Sequence, residues 1–138
     1  MKNIAVVIPT YNELENIERL VKEIRKNIKK CTIYIVDDTK NEDIGKLIIK
    51  KKIKAKYFHR KKKSGRGSAV VYGLKKAFRN KKNEIFIEMD ADFSHNPKEL
   101  KKNIEIFKKK KLDLLIASRY LERSKIINWS LSRRIFSK

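Results

Sequence analysis

The sequence of residues 4–24, IAVVIPTYNELENIERLVKEI, places a short apolar run directly before an amphipathic repeat. The run Ile4–Ile8 has the length and β-branched content of a buried strand, and Pro9 ends it. From Leu14 to about Lys30, apolar residues recur every three or four positions, which predicts an amphipathic helix. A strand followed by a helix is the repeating unit of α/β proteins.

The same alternation continues along the rest of the chain. Further strands are predicted at Thr32–Val36, Ala55–His59, Ile85–Met89 and Asp113–Ala117. Helices are predicted around Ile44–Ile48, from a glycine-bearing loop to about Arg79, and from Pro97 onward, with some helical character after Asn128. This order predicts an α/β fold, a Rossmann-like and mostly parallel sheet with helices on both faces.

Composition limits the classes of protein that fit. A length of 138 residues suits one domain, and the single cysteine, Cys31, excludes a disulfide framework and a cysteine-based zinc site. A reducing compartment is therefore expected. The N-terminal apolar stretch is too short for a secretory signal, and no segment has the length of a membrane span.

The formal net charge of +21 raises the question of a nucleic-acid or lipid partner. Of the 37 basic residues, 28 are lysine, which is typical of AT-rich coding on any fold. We expect no specific nucleic-acid partner, because no helix-turn-helix or aromatic stacking signature is present. Weak attraction to anionic lipid head groups stays plausible, and peripheral membrane contact is expected.

Polar stretches follow four of the predicted strands. They are PTYNE after the first, DDTKNED after the second, DADFSHNP after the fourth and SRY after the fifth. Ligands of parallel sheets bind at the carboxyl ends of the strands, so these stretches are expected to converge on one site.

Asp90 and Asp92 flank one small residue at the end of an apolar run. Two carboxylates this close repel each other unless a positive charge lies between them. Mg²⁺ or Mn²⁺ would supply that charge, with a substrate diphosphate completing the coordination. In the alternative interpretation the pair makes turn and helix-cap hydrogen bonds, with Asp92 or Ser94 capping the helix near Pro97.

Asp37 and Asp38 follow the second strand and have two interpretations. A carboxylate here accepts hydrogen bonds from a nucleobase or a ribose, or it closes the strand with an Asx-turn. In PTYNE, the ring of Tyr11 could lie against a base, whereas Asn12 or Thr10 could cap the first helix.

Two basic segments also remain open between interpretations. SGRGSAVVYG, residues 64–73, has glycines before a helix and suits an anion, but it lacks a Walker motif and fits a surface loop equally well. The tail NWSLSRRIFSK, residues 128–138, suits a membrane surface and a lipid-linked phosphate, or a terminal helix docked on the core.

Six of these segments together resemble the family 2 glycosyltransferases and, within them, the dolichyl-phosphate (polyprenyl-phosphate) mannose synthases. The segments are VVIPTYNELENI, IVDD, GRGSAVVYGL, MDADFSHNP, SRY and NWSLSRRIFSK, in the order and spacing of that family. The resemblance covers nearly the whole chain. It implies an A-type nucleotide-sugar glycosyltransferase fold, a GDP-mannose donor, a dolichyl or polyprenyl phosphate acceptor and Mg²⁺ or Mn²⁺.

The resemblance also assigns roles to individual residues. It implies a guanosine site formed by Pro9, Tyr11, Glu13, Val36 and Asp38. It implies a diphosphate and metal site formed by Asp90, Ala91 and Asp92, with Ser94 as a polar metal-site residue. Arg119 would contact the donor or acceptor phosphate, and Arg133 and Ser137 would contact the lipid phosphate. Asp92 and Arg119 would be the catalytic residues.

The implied chemistry is direct displacement by an acceptor phosphate that is already ionised at neutral pH, so no strong base is needed. Displacement predicts inversion, with a β-linked product. The implied location is the cytoplasmic face of a membrane, with peripheral attachment.

Two features depart from the family. DDTKNEDIG lacks the glycine usual after the paired Asp, and the chain stops at Lys138, where the family continues. One domain over residues 1–138, incomplete at its C-terminus, is therefore expected, with a partner membrane subunit as one way to complete the site. The alternatives are a related family 2 transferase with another donor or acceptor, and a non-catalytic nucleotide-binding remnant.

Overall fold

A computed structural model describes residues 3–62 and 64–118. Four parallel strands form one sheet in the order β3-β2-β1-β4. The strands are β1 (Asn3–Thr10), β2 (Cys31–Asp37), β3 (Lys56–His59) and β4 (Asn83–Glu88). The helices are α1 (Leu14–Asn27), α2 (Asp43–Lys50), α3 (Arg66–Phe78) and α4 (Leu100–Lys109), with a 3-10 turn at Pro97–Glu99. The predicted α/β fold with a parallel sheet is confirmed.

β1 lies in the middle of the sheet because its residues are apolar on both faces. It pairs with β2 from Ile4 opposite Cys31 to Thr10 opposite Asp37, and with β4 on its other edge. Residues 5–8 of β1 are fully buried, as expected for a strand covered on both faces.

α3 packs on β1, β2 and β4 through its smallest residues. A Cβ atom built on Gly73 would lie 2.5 Å from Val7 Cγ1 and 3.0 Å from Val36 Cγ2. The absent side chain of Gly73 therefore lets the helix backbone approach the sheet closely. Ala77, one turn later, joins the same buried cluster.

The opposite face of β1 carries Val6 and Ile8, which are also fully buried. The amphipathic helix α1 buries a stripe formed by Ile17, Leu20, Val21 and Ile24, and it contacts α2 and the 3-10 turn. Both faces of the central strand are thus excluded from water.

Three local predictions are wrong. Asp113–Ala117 forms no strand: Leu114 and Ile116 are 72% and 75% exposed, and no described strand pairs with the segment. Glu13 occupies the N-cap position of α1 and its side chain makes no capping hydrogen bond, so neither Asn12 nor Thr10 caps that helix. The helix predicted to open at Pro97 is present and begins as a 3-10 turn, but neither Asp92 nor Ser94 caps it, because Asn96 accepts the capping hydrogen bond from the Lys98 amide.

The chain divides into two compact units, residues 1–101 and 102–138. The sheet and the site described below lie within the first unit. A single domain over the whole chain stays a prediction. Among the described residues, no helix has the length and apolar content needed to cross a membrane.

Candidate nucleotide-binding site

A cavity of about 350 Å³ opens at the carboxyl end of the sheet. The chain runs from β1 through β2 to β3 on one side and then crosses to β4 on the other, so the strand order reverses beside β1. Such a reversal opens a crevice between the loops that follow the two strands. The cavity is lined by Pro9, Thr10, Tyr11, Glu13, Asp38, Gly65, Arg66, Ala69, Asp90, Ala91 and Asp92.

Hydrogen bonds donated by backbone amides join the loops after β1 and β2 at the rim of this cavity. The amide of Asp38 donates to the carbonyl of Thr10 over 3.0 Å. The amide of Asn12, a residue with φ of 60°, donates to Thr39 Oγ1 over 2.8 Å. The two loops therefore hold each other in place without a ligand.

Asp37 is a structural residue rather than a cavity residue. Its Oδ1 accepts the Thr39 amide over 2.8 Å, which is the Asx-turn of the alternative interpretation, and its Oδ2 accepts the Tyr57 hydroxyl over 2.8 Å. Burial, together with the bond to Asp37, raises the pKa of the Tyr57 phenol well above its usual value. Tyr57 therefore stays a neutral donor that holds the loop.

Asp38 lines the cavity, and both of its carboxylate oxygens already have partners. Arg60 Nε donates to Oδ1 over 2.5 Å and Arg60 Nη2 donates to Oδ2 over 2.6 Å, a bidentate pair. Burial alone would raise the pKa of Asp38, but the bonds from Arg60 and from the Ser64 amide outweigh it and hold that pKa below its usual value. Arg60 also reaches Ser68 Oγ at 2.8 Å. Asp38 is thus an ionised, fixed acceptor.

The positive charge beside the acidic pair belongs to Arg66. Its Nε donates to Asp90 Oδ1 over 2.6 Å, and its Nη2 donates to Glu88 Oε1. The hydrogen bond to Asp90 is the main cause of a raised pKa for Arg66. The guanidinium therefore bridges the carboxylates of Glu88 and Asp90 at the end of β4, and only Asp90 belongs to the pair for which the sequence predicted a metal ion.

His95 supports Asp90 from the other side. The Asp90 amide donates to His95 Nδ1 over 3.1 Å. The Nε2 of the same ring lies 3.9 Å from Asp90 Oδ2. His95 fixes the conformation of the loop after β4.

Asp92 is more open than Asp90. Its Oδ1 accepts the Ser94 amide over 2.9 Å, a turn hydrogen bond. Partial burial would raise the pKa of Asp92, but the hydrogen bonds from Ser94 outweigh it and lower that pKa. The Asp92 carboxylate is therefore ionised at neutral pH.

The remaining predicted site residues have varied positions. Pro9, Tyr11, Glu13 and Ala91 line the cavity together with the acidic pair. Val36 and Ser94 do not line it: the Val36 side chain is fully buried towards α3, and Ser94 holds Asp92 from the loop. Arg119, Arg133 and Ser137 lie outside the described residues.

Sequence reasoning missed Arg60, Arg66 and Glu88. Each contacts an acid or base at least 22 positions away, so no local spacing rule connects them. The available signal was their position: Arg60 directly follows β3, Arg66 begins α3 and Glu88 ends β4, on the side of the sheet where ligands bind.

Comparison with known families identifies the family of this chain. The family model described as glycosyl transferase family 2 matches residues 5–138. The chain belongs to glycosyl transferase family 2. The predicted family is thus confirmed.

Three relatives in this family are named as polyprenol-linked mannose enzymes. A dolichol-phosphate mannosyltransferase from Pyrococcus furiosus is 35% identical, over 98% of this chain and 38% of its own length. An undecaprenyl-phosphate mannosyltransferase from Micrococcus luteus is 29% identical, over 97% and 55%. A polyprenol monophosphomannose synthase from Mycolicibacterium smegmatis is 33% identical, over 96% and 51%. The chain spans about half the length of these relatives, or less.

Among solved structures, the glycosyltransferase-type fold recurs in TarS of S. aureus. The TM-score is 0.62, with 21% identity over 89% of this chain and 23% of that chain. At this level of identity the likeness concerns the fold alone.

Proposed function

We propose that this family 2 chain carries the donor-binding part of a mannosyltransferase that moves mannose from GDP-mannose to a dolichyl or polyprenyl phosphate, with inversion and with help from Mg²⁺ or Mn²⁺. The observation that carries the proposal is the cavity at the reversal of strand order, with Asp38 on one side and Asp90 and Asp92 on the other. The names of the three relatives support the sugar and the class of acceptor.

The acidic residues suit a hard divalent cation. Asp90 and Asp92 offer carboxylate oxygens, which Mg²⁺ and Mn²⁺ prefer. Within residues 3–62 and 64–118, no group of three or more acidic, His or Cys side chains is placed to hold an ion. Of the described residues, Asp90 and Asp92 would supply two carboxylate ligands, and Mg²⁺ commonly takes one or two carboxylates together with substrate phosphates. When bound, the ion would neutralise charge on the departing diphosphate.

The chain's own residues would bind and orient the donor. Asp38, fixed by Arg60, would accept hydrogen bonds from the nucleoside, and Tyr11 would lie against the base. Among the described residues that line the cavity, Arg66 carries the positive charge, and its guanidinium would contact the diphosphate. Arg119, Arg133 and Ser137 are proposed to hold the acceptor phosphate, whose ionised oxygen needs no strong base.

The proposal is tested by transfer of labelled mannose from GDP-mannose to a polyprenyl phosphate in Mg²⁺. We expect lipid-linked product from the chain and a loss of about a hundredfold or more for Asp92→Ala, because the variant removes a candidate ligand of the diphosphate site. GDP binding without product would instead support a nucleotide-binding remnant.

Donor identity is tested separately by thermal shift with GDP and UDP, each with Mg²⁺. The proposal requires a larger shift with GDP. Equal shifts would support a related family 2 transferase with another donor.

A further inference from the structure

The guanidinium of Arg66 lies against Asp90, one of the two carboxylates that the proposed function assigns to the metal and the diphosphate. Its two donated hydrogen bonds end on two different carboxylates, those of Glu88 and Asp90. Asp90 Oδ1 is thereby taken, and a cation that binds Asp90 must share or displace the guanidinium. When a site is open for only a fraction of the time, the apparent affinity of its ligand is reduced to that fraction of the intrinsic affinity.

The position of Arg66 allows it to leave. Arg66 is the first residue of α3 and follows Gly65, whose φ is 84°, and its side chain is 53% exposed. It lines the same cavity as Asp90 and Asp92. The ion pair is therefore of the exposed kind, whose strength is about 1 kcal/mol or less, and an incoming polyanion could replace both carboxylates as partner.

We propose that Arg66 is a displaceable counter-cation that couples the binding of the divalent ion to the binding of the nucleoside diphosphate. Without a nucleotide, Arg66 holds Asp90 and weakens binding of the free ion. With a nucleotide, Arg66 turns to the diphosphate and releases Asp90 for the ion. The inference rests on the proposed function, whose donor brings the diphosphate.

The coupling has a distinctive sign pattern. Removal of the guanidinium should strengthen binding of the free ion and weaken binding of GDP. The reason is that Arg66 competes with the ion for Asp90, whereas it binds the diphosphate of GDP directly. Coupling between two ligands is reciprocal, so the enhancement of ion binding by GDP should shrink by the same factor as the enhancement of GDP binding by the ion. A residue that only maintains the fold would weaken both ligands together.

The experiment measures Mn²⁺ affinity by electron paramagnetic resonance, with and without GDP, for the unaltered chain and Arg66→Gln. For Arg66→Gln we expect about fivefold tighter Mn²⁺ binding without GDP and about fivefold weaker GDP binding in saturating Mn²⁺. Arg79→Gln is the matched control, since Arg79 is an exposed arginine at the other end of α3 and its loss changes the net charge equally. The control should leave both affinities within about twofold.

A second variant separates contact from charge. Arg66→Lys keeps the positive charge, but an ammonium group cannot hold two carboxylates in a fork. Its affinity for free Mn²⁺ should therefore lie between that of the unaltered chain and that of Arg66→Gln. Thermal unfolding of each variant checks that it folds. Asp90→Asn in the Arg66→Gln background should abolish the gain in Mn²⁺ affinity.

The outcomes separate this inference from the proposed function. Unchanged or weaker Mn²⁺ binding by Arg66→Gln, or a gain that Asp90→Asn does not remove, overturns the role of Arg66 even if labelled mannose is transferred. The opposite-sign pattern without any lipid-linked product supports the coupling and overturns the transferase.

Discussion

At the scale of single residues, Arg60 and Asp38 form the best-connected ion pair of the site. Their side chains are only 14% and 5% exposed, and two hydrogen bonds join them. Removal of Arg60 would leave a buried carboxylate without its main partner, which costs more than an exposed pair contributes. Arg60→Met is therefore expected to lower the free energy of unfolding by about 2–3 kcal/mol, measured by urea denaturation. Arg79→Met, at an exposed position, should change it by less than about 0.5 kcal/mol.

The pH dependence of this loss follows from the direction of the pKa shift of Asp38. In the unaltered chain the folded-state pKa is lowered, so the stability due to the pair is present above the unfolded value of about 4 and is lost as pH falls through the folded value. Without Arg60, burial raises the pKa of Asp38, and the folded variant takes up a proton as pH falls. The difference in unfolding free energy between the two chains should shrink below about pH 5. A difference that stays constant from pH 7 to pH 4 would contradict this account.

The residue scale also shows what spacing could and could not predict. Asp90 and Asp92 were found because a polar pair after a buried run marks the end of a parallel strand. Arg66 was not assigned to them, because its contact depends on how α3 is positioned over the sheet. A local pattern predicts where a strand ends, whereas an ion pair between distant segments depends on the packing of the whole layer.

At the scale of elements, α3 sets the distance between its helical layer and the sheet. Gly73→Ala would place a methyl group 2.5 Å from Val7 Cγ1, in a fully buried contact, so the helix or the side chain must shift. We expect a loss of about 1–3 kcal/mol in the free energy of unfolding, measured by urea denaturation.

Gly67→Ala is the matched control within the same helix. A Cβ atom on Gly67 meets nothing within 4 Å, and alanine favours helix over glycine by up to about 1 kcal/mol. The control should be neutral or slightly stabilising. Equal losses for both variants would contradict this account, because neither the open surroundings of Gly67 nor the higher helix propensity of alanine predicts a loss there.

The wrong strand at Asp113–Ala117 has a physical cause at the same scale. A run such as DLLIA specifies apolar character, but a strand also needs a neighbour for its backbone hydrogen bonds. The runs in β1, β2 and β4 have such neighbours in the sheet, and the described part of the chain offers none to residues 113–117. Composition was thus sufficient for the four paired strands and insufficient for the fifth.

At the scale of the whole molecule, the net charge of +21 has two origins that make different predictions. A dedicated lipid-binding patch concentrates its charge, whereas compositional drift spreads lysine over the whole surface. Lys108–Lys111, exposed at the end of α4, is the longest lysine run and the best candidate for a patch. The lysine excess over arginine favours the diffuse origin.

Vesicle binding tests this choice. The chain should bind vesicles that contain phosphatidylserine at low salt, and it should not bind neutral phosphatidylcholine vesicles. It should dissociate from the anionic vesicles near 1 M salt, where the Debye screening length is about 3 Å. Replacing all four lysines of residues 108–111 by glutamine should weaken binding by less than about tenfold if the charge is diffuse, because the rest of the surface still attracts the membrane. A true patch would lose about 1 kcal/mol for each lysine, or nearly a thousandfold in total. A loss of that size would assign membrane attachment to the end of α4 and overturn the diffuse origin of the charge.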